Sequence, residues 1–232
     1  MTRLRFADAR DSADLGAFLA RLIRFDKAAA VRLQTAGVGL AVFARLPLGE
    51  TGPLAIRTAR LAAATPLDLT VSAGQLLDAL DDLDPDLDRD SERAGVRAGA
   101  RAGAEPGELE LPGAITGPAW AGLLPPRTGW EHLADLPTEP LRAAVRAAVT
   151  EFRREGADAD ALAEAIWSRQ VHPSGLTLRA VHAAQLTGLL QQPDEVALHR
   201  HPAWLRLSGP GGYVITRRAP APGAGLGLTP RR

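Results

Sequence analysis

The chain has 232 residues, 46% of them hydrophobic, enough to bury a sizeable core in one large unit or two small ones. Its 27 arginines and lysines balance 27 aspartates and glutamates, so no overall field draws it to nucleic acid or to a membrane surface. It has no cysteine, which excludes disulfides, thiolate catalysis and Cys-ligated zinc or iron–sulfur sites.

The N-terminus, MTRLRFADARD, has no apolar h-region, and no apolar run approaches the ~20 residues that span a bilayer. The expectation is a cytoplasmic protein. Lys27 is the only lysine. Arginine, alanine, glycine and proline abound as the codons of a GC-rich genome would dictate, so arginine content by itself carries little functional weight.

Residues 1–80 read as a compact α+β unit. Leu4 and Phe6 alternate with Arg3 and Arg5 as in a short strand. Asp11 or Ser12 is placed to cap a helix with Leu15, Phe18, Leu19 and Leu22 on one face. AAVRLQT, LAVFARL and PLAIRTARL follow as three strands, punctuated by Gly37, Gly39 and the turn stretch 49–52. LDLTVS alternates as a fourth and runs into a capping box, Ser72 to Gln75, that opens a helix carrying Leu76, Leu77 and Leu80.

Residues 81–116 are first acidic (DDLDPDLDRDSE) and then of low complexity (RAGVRAGARAGAEPG). A stretch this polar buries too little apolar surface to offset its chain entropy, and it reads as a mobile linker. Its Asp82, Asp84 and Asp86 begin like a calcium loop, but Leu87 and Arg93 stand where glycine and glutamate are required. Residues 117–137 are rich in Trp and Pro without helical or strand period. They read as a segment that lies across a domain and pins itself with Trp120 and Trp130, or that uses them with Arg127 as a partner-binding platform.

Residues 138–218 give three helices closed by a hairpin. Thr138 caps the first, with Leu141, Val145, Val149 and Phe152 on its face, and Gly156 ends it. The second carries Leu162, Ile166 and Trp167, and the third runs from about Leu176 to Leu190. After VALHRHP comes WLRLSGPGGYVITRR. With a loop at Gly209–Gly212, Leu207 faces Val214, Leu205 faces Thr216 and Trp204 faces Arg217. One side is then apolar; the other carries Trp204, Arg206, Tyr213, Ile215 and Arg217, where an indole can cover a guanidinium. The tail, 219–232, reads as disordered.

Catalytic constellations are scarce. No G-x-S-x-G, H-E-x-x-H or G-x-x-x-x-G-K-[ST] occurs. His199 and His201 share one side of a strand, but neither a third histidine nor a suitably placed carboxylate is near in sequence, and two exposed strand histidines suffice to explain them. No catalytic residue, cofactor or metal is expected. From Val196 onward there are six arginines and no acidic residue, so Arg179, Arg206, Arg217 and Arg218 are candidates for nucleic-acid contact. Three helices and a hairpin follow the winged-helix order, yet the third helix offers few groups to read bases and SRQVHPSG is longer than a helix-turn-helix turn.

The fold class expected is therefore α+β: a strand–helix–three-strand–strand–helix unit, then a three-helix segment closed by a C-terminal β-hairpin. The segments LRFADARDSADLGAFLARL, LDLTVSAGQLLDAL and GPAWAGLLPPRTGW resemble those of an actinobacterial protein family that has no activity to carry over. The order of elements in residues 1–80 is also similar to one repeat of a DNA sliding clamp, without a second repeat in 138–218. The function expected is a non-enzymatic binding or scaffolding protein with a protein partner. A nucleic-acid-binding regulator with a winged-helix-like C-terminal region is the alternative, and an enzyme without a local motif comes third.

Overall fold

The computed structural model describes residues 2–49, 52–83, 107–154, 159–191 and 193–218. The linker core expected between 84 and 106 and the tail at 219–232 lie outside the described residues. The fold is α+β, as expected, and is organised around one antiparallel sheet.

The first half runs β1 (Arg3–Arg5), α1 (Ala9–Phe25), β2 (Ala30–Ala36), β3 (Gly39–Arg45), β4 (Leu54–Arg60), β5 (Asp68–Ser72) and α2 (Ala73–Asp81). Each alternating segment became a strand because its odd and even residues face different environments: Val31 and Leu33 are fully buried while Arg32 and Gln34 point to the other side. Helix α1 starts earlier than expected. Its cap is Asp8, whose carboxylate accepts from the Arg10 backbone N–H at 2.8 Å, while the Ser12 hydroxyl donates to the Ala9 carbonyl. Ser72 caps α2 by accepting from the Gln75 N–H.

The second half runs β6 (Glu108–Glu110), a 3-10 turn (Ala119–Gly122), β7 (Glu131–Pro137), α3 (Thr138–Arg154), α4 (Ala159–Trp167), β8 (Gln170–His172), β9 (Leu176–Thr177), α5 (Leu178–Leu186), β10 (Glu195–His201), β11 (Trp204–Gly209) and β12 (Gly212–Arg217). Residues 107–116 are not linker-like: β6 pairs with β1, setting Leu109 opposite Leu4, both buried. Residues 131–137, read as lacking any period, form an edge strand, a position that tolerates Glu, Asp and a terminal Pro. Thr138 does not cap α3 in the ordinary way; its buried hydroxyl donates to the Pro193 and Asp194 carbonyls, tying the start of α3 to the chain entering β10.

Eight strands form the main sheet in the order β5-β2-β3-β4-β12-β11-β10-β7, with every neighbour antiparallel. The hairpin register is the expected one, Leu207 opposite Val214 and Trp204 opposite Arg217. Its turn places Gly211 at φ +72°, which Gly tolerates without strain after Pro210. The hairpin does not project as a wing. Strand β12 pairs with β4, from Gly212 opposite Arg57 to Ile215 opposite Leu54, so the two halves share one sheet.

This seam makes the molecule quasi-symmetric. On one side β1-α1-β2-β3-β4 is a strand, a helix and a three-strand meander; on the other β9-α5-β10-β11-β12 has the same order. Each outer strand, β5 and β7, runs directly into a helix, α2 and α3. The expectation that residues 138–218 lack a second repeat is thus corrected: its first strand is two residues long and its helix nine, too short to stand out from the helices before it. The helices cover one face of the sheet over a continuous core that includes Leu15, Leu19, Leu33, Leu76, Val181, Leu198 and Leu207. A smaller apolar cluster of Phe43, Leu54, Ile56 and Ile215 occupies the opposite, outer face.

Two predictions follow from the seam and the helical layer. A methyl group on Gly212 would stand 2.3 Å from the Ile56 carbonyl oxygen, so Gly212→Ala must open the β4–β12 pairing. Chemical denaturation should show a loss of about 1–3 kcal/mol. Gly74→Ala in α2, where no crowding exists, should instead gain up to about 1 kcal/mol.

His182 of α5 stacks on Trp167 of α4 with ring centroids 4.4 Å apart, and burial holds its pKa below the ordinary value. The unfolded chain therefore binds the proton first, so stability should fall as pH drops through the unfolded-state value of about 6.5. His182→Leu should flatten that slope; an unchanged slope in denaturation midpoints against pH would contradict this account.

Candidate functional site: the outer sheet face and its strap

The outer face is built by alternation. In β11 and β12 it receives Trp204, Arg206, Tyr213, Ile215 and Arg217, while Leu205, Leu207 and Val214 go to the helical core. Two guanidiniums are held by rings on this face. Arg217 lies 4.4 Å from the Trp204 ring centroid; Arg206 lies 4.6 Å from Trp130 and 5.5 Å from Tyr213.

Residues 111–130 cross this face as a strap. The Leu111 N–H donates to the Thr2 carbonyl, extending the β1–β6 pair, and the Ile115 N–H donates to the Thr70 carbonyl, bringing the chain beside β5. Arg32 then grips Asp68 with two hydrogen bonds of 2.7 Å and also donates to the Ala121 carbonyl of the 3-10 turn. This pairing keeps the Asp68 carboxyl below its ordinary range. Further along, Arg127 donates to Gln34 at 3.1 Å and the Trp130 indole N–H to the Pro126 carbonyl at 2.9 Å. Trp120, Leu124 and Trp130 all pack on the outer apolar cluster.

The strap leaves two clefts. The first, about 260 Å³, is lined by Arg45, Leu54, Trp120, Leu123, Trp204, Ile215 and Arg217 among others. Leu123 is 66% exposed, the most exposed of the large apolar side chains described. The second cleft, about 160 Å³, is lined by Phe43, Pro126, Arg127, Trp130, Arg206, Tyr213 and Ile215 among others. Burial lowers the pKa of Arg206 and raises that of Tyr213.

The structure brings Trp120, Arg127 and Trp130 onto one face, together with Arg206 and Arg217. Arg179 is elsewhere: it belongs to α5 in the helical layer and pairs with Glu164 of α4. His199 and His201 are half-buried on the outer face. His199 meets His132 of β7 edge-on at 5.5 Å, and burial, Arg206 and His132 together lower its pKa. Among the described residues no cluster of histidine and carboxylate side chains fits a metal ion. Also among them, no helix is long and apolar enough to cross a membrane. Arg45 and Leu123 escaped the sequence reading; the only hint was an apolar pair, Leu123-Leu124, ahead of two prolines.

The fold is similar to that of bacterial DNA sliding clamps. The beta subunit of DNA polymerase III from Thermotoga maritima is 12% identical, with a TM-score of 0.52 over 95% of this chain and 66% of that one. A sliding clamp from Bartonella birtlesii, solved bound to griselimycin, is 12% identical, with a TM-score of 0.53 over 94% of this chain and 65% of the clamp. This chain thus spans just under two thirds of the clamps it matches, and at such identity the likeness is one of fold alone. It extends well beyond residues 1–80, to which the sequence reading confined it. Residues 1–95 match the family described as Domain of unknown function (DUF8010), and residues 125–221 match Domain of unknown function (DUF8185). No curated protein matches the chain.

Trp130 carries the strap through its apolar contact, its hydrogen bond and its stack on Arg206. Because it is only half-buried, Trp130→Ala should cost less than the about 3–5 kcal/mol of a fully buried aromatic, in the region of 2 kcal/mol. Thermal unfolding would measure it, and an unchanged melting temperature would show that the strap does not depend on this indole.

Proposed function

We propose that the protein is a non-enzymatic binding or scaffolding protein whose partner is a protein segment, docked in the outer cleft between Trp120, Leu123 and Trp204. The observation that carries this reading is Leu123, held in the open beside two indoles over an apolar floor of Leu54 and Ile215. An exposed leucine alone is ordinary; one that rims an aromatic cleft marks a place for an apolar side chain. Arg45 and Arg217 at the same cleft add polar groups that can orient a backbone or an acidic flank. The likeness to clamps supports a role as a platform rather than a catalyst, at the level of fold.

The nucleic-acid alternative is less well supported. Of its four candidate arginines, Arg179 lies in the helical layer and pairs with Glu164, so at most three remain to act together. Strong salt-dependent binding draws on about six or more phosphate contacts.

Selection of randomised displayed peptides on the immobilised full chain tests the reading directly. Peptides with an apolar or aromatic anchor should be enriched, and Leu123→Asp and Trp204→Ala should each weaken them at least tenfold, a loss of about 1.4 kcal/mol or more. Binding that ignores both changes would overturn the assignment of the cleft. Duplex DNA at about 0.15 M salt should bind no tighter than the ~10⁻⁴–10⁻⁶ M of non-specific contact; sub-micromolar, sequence-selective binding would replace the protein partner with nucleic acid.

A further inference from the structure

The second cleft contains a cation without a counter-ion. Among the described residues, Arg32, Arg57, Arg142, Arg146, Arg169, Arg179 and Arg200 all pair with carboxylates. Neither Arg206 nor Arg127 does, although both line this pocket. Arg206 has also lost hydration without replacing it: its Nε–H is buried and meets no acceptor. A buried donor left unpaired costs free energy. Trp130 and Tyr213 hold the group from two sides, which fixes its orientation before any ligand binds.

We propose that this pocket is a carboxylate-binding subsite, with Arg206 as its anchor and Arg127 at its rim, taking an Asp or Glu side chain of the docked segment. The inference rests on the docking reading and deepens it by naming the second group that the partner must supply. A planar carboxylate matches the planar donor fork, and the walls of Phe43, Pro126 and Ile215 are apolar and close. The two clefts meet at Ile215. Along β11 and β12 the Trp204–Arg217 row, the Arg206–Ile215 row and the Ser208–Tyr213 row succeed one another every two residues. At about 3.3 Å per residue, an extended segment with its apolar anchor in the first cleft reaches the second in about two to four residues. The partner signature is thus an apolar residue and an acidic residue separated by that interval.

Indole N–H signals of the full chain provide the readout, since Trp130 forms a wall of the pocket. The probes are N-acetylglutamate α-amide, its neutral counterpart N-acetylglutamine α-amide, N-acetylglutamine free acid and inorganic phosphate, compared at constant ionic strength. The glutamate probe should shift the Trp130 signal saturably with a Kd of about 1–10 mM, the scale of a small polar fragment. The neutral probe should not. Arg206→Gln should abolish the shift; Arg127→Gln, an exposed change that leaves the packing alone, should weaken it severalfold. Equal response to the neutral probe, no saturable shift, or tighter binding of phosphate or of the free acid would overturn the proposal. Selected peptides that bind through Leu123 while no carboxylate probe binds would sink this inference alone. Carboxylate binding without any selectable peptide would sink the docking reading and leave the subsite standing.

Discussion

The pairing of β4 with β12 is the constraint from which the other features descend. It joins strands that are more than 150 positions apart in the chain, and it can form only because Gly212 brings bare backbone against the Ile56 carbonyl. Once it forms, two four-stranded sheets become one of eight strands, and the helices of both halves are obliged to share a face. The other face is left broad and shallow, with its own small apolar cluster centred on the seam residues Leu54, Ile56 and Ile215. A sheet so exposed on one side needs cover or charge, and it has both: the strap lies over part of it, and arginines stacked on aromatic rings shield the remainder.

That geometry explains why the clefts lie where they do. The strap is anchored near β5 through the Arg32–Asp68 pair and the Ala121 carbonyl, and near β10 through Trp130 beside His201. Between those anchors it touches the sheet at Leu124 and stands off on either side. One gap is bounded by Leu123 and Trp120, the other by the prolines and Trp130. The clefts are therefore products of a taut connection over a flat surface, and each is walled by three segments remote in sequence.

This remoteness sets what a reader of the sequence alone can see. Period-two alternation in β2 to β5 and in the hairpin is local information, so those elements and the hairpin register were legible down to Trp204 opposite Arg217. The hairpin's destination was not, because nothing near Gly212 names Ile56 as its neighbour. Strand β7 was hidden by Glu131, Asp135 and Pro137, residues poor for a strand, which an edge position accepts. The second repeat was hidden by the brevity of β9, which made α5 look like the last of three consecutive helices. At the site, tryptophans and arginines drew notice because their types are informative singly. Leu123 and Arg45 are common residues whose meaning comes only from what the fold sets beside them.

The same distinction bears on the arginines. Composition advised discounting them, since nearly every cation in this chain is arginine. The structure separates them by partner. Where a guanidinium meets a carboxylate, as Arg169 meets Glu151 through two bonds of 2.6 Å, the pair serves the fold and lowers the carboxyl pKa. Where it meets only aromatic faces, the ring holds the charge in place but cannot neutralise it, because a quadrupole orients a cation without accepting its hydrogen bonds. Arg206 and Arg217 are of that second kind, and both lie on the face that the helices leave open. A cation fixed in orientation, partly stripped of water and still lacking an acceptor is prepared for an anion from outside the chain. That is the physical ground for proposing the docking site on the outer face rather than on the mixed-charge helical layer.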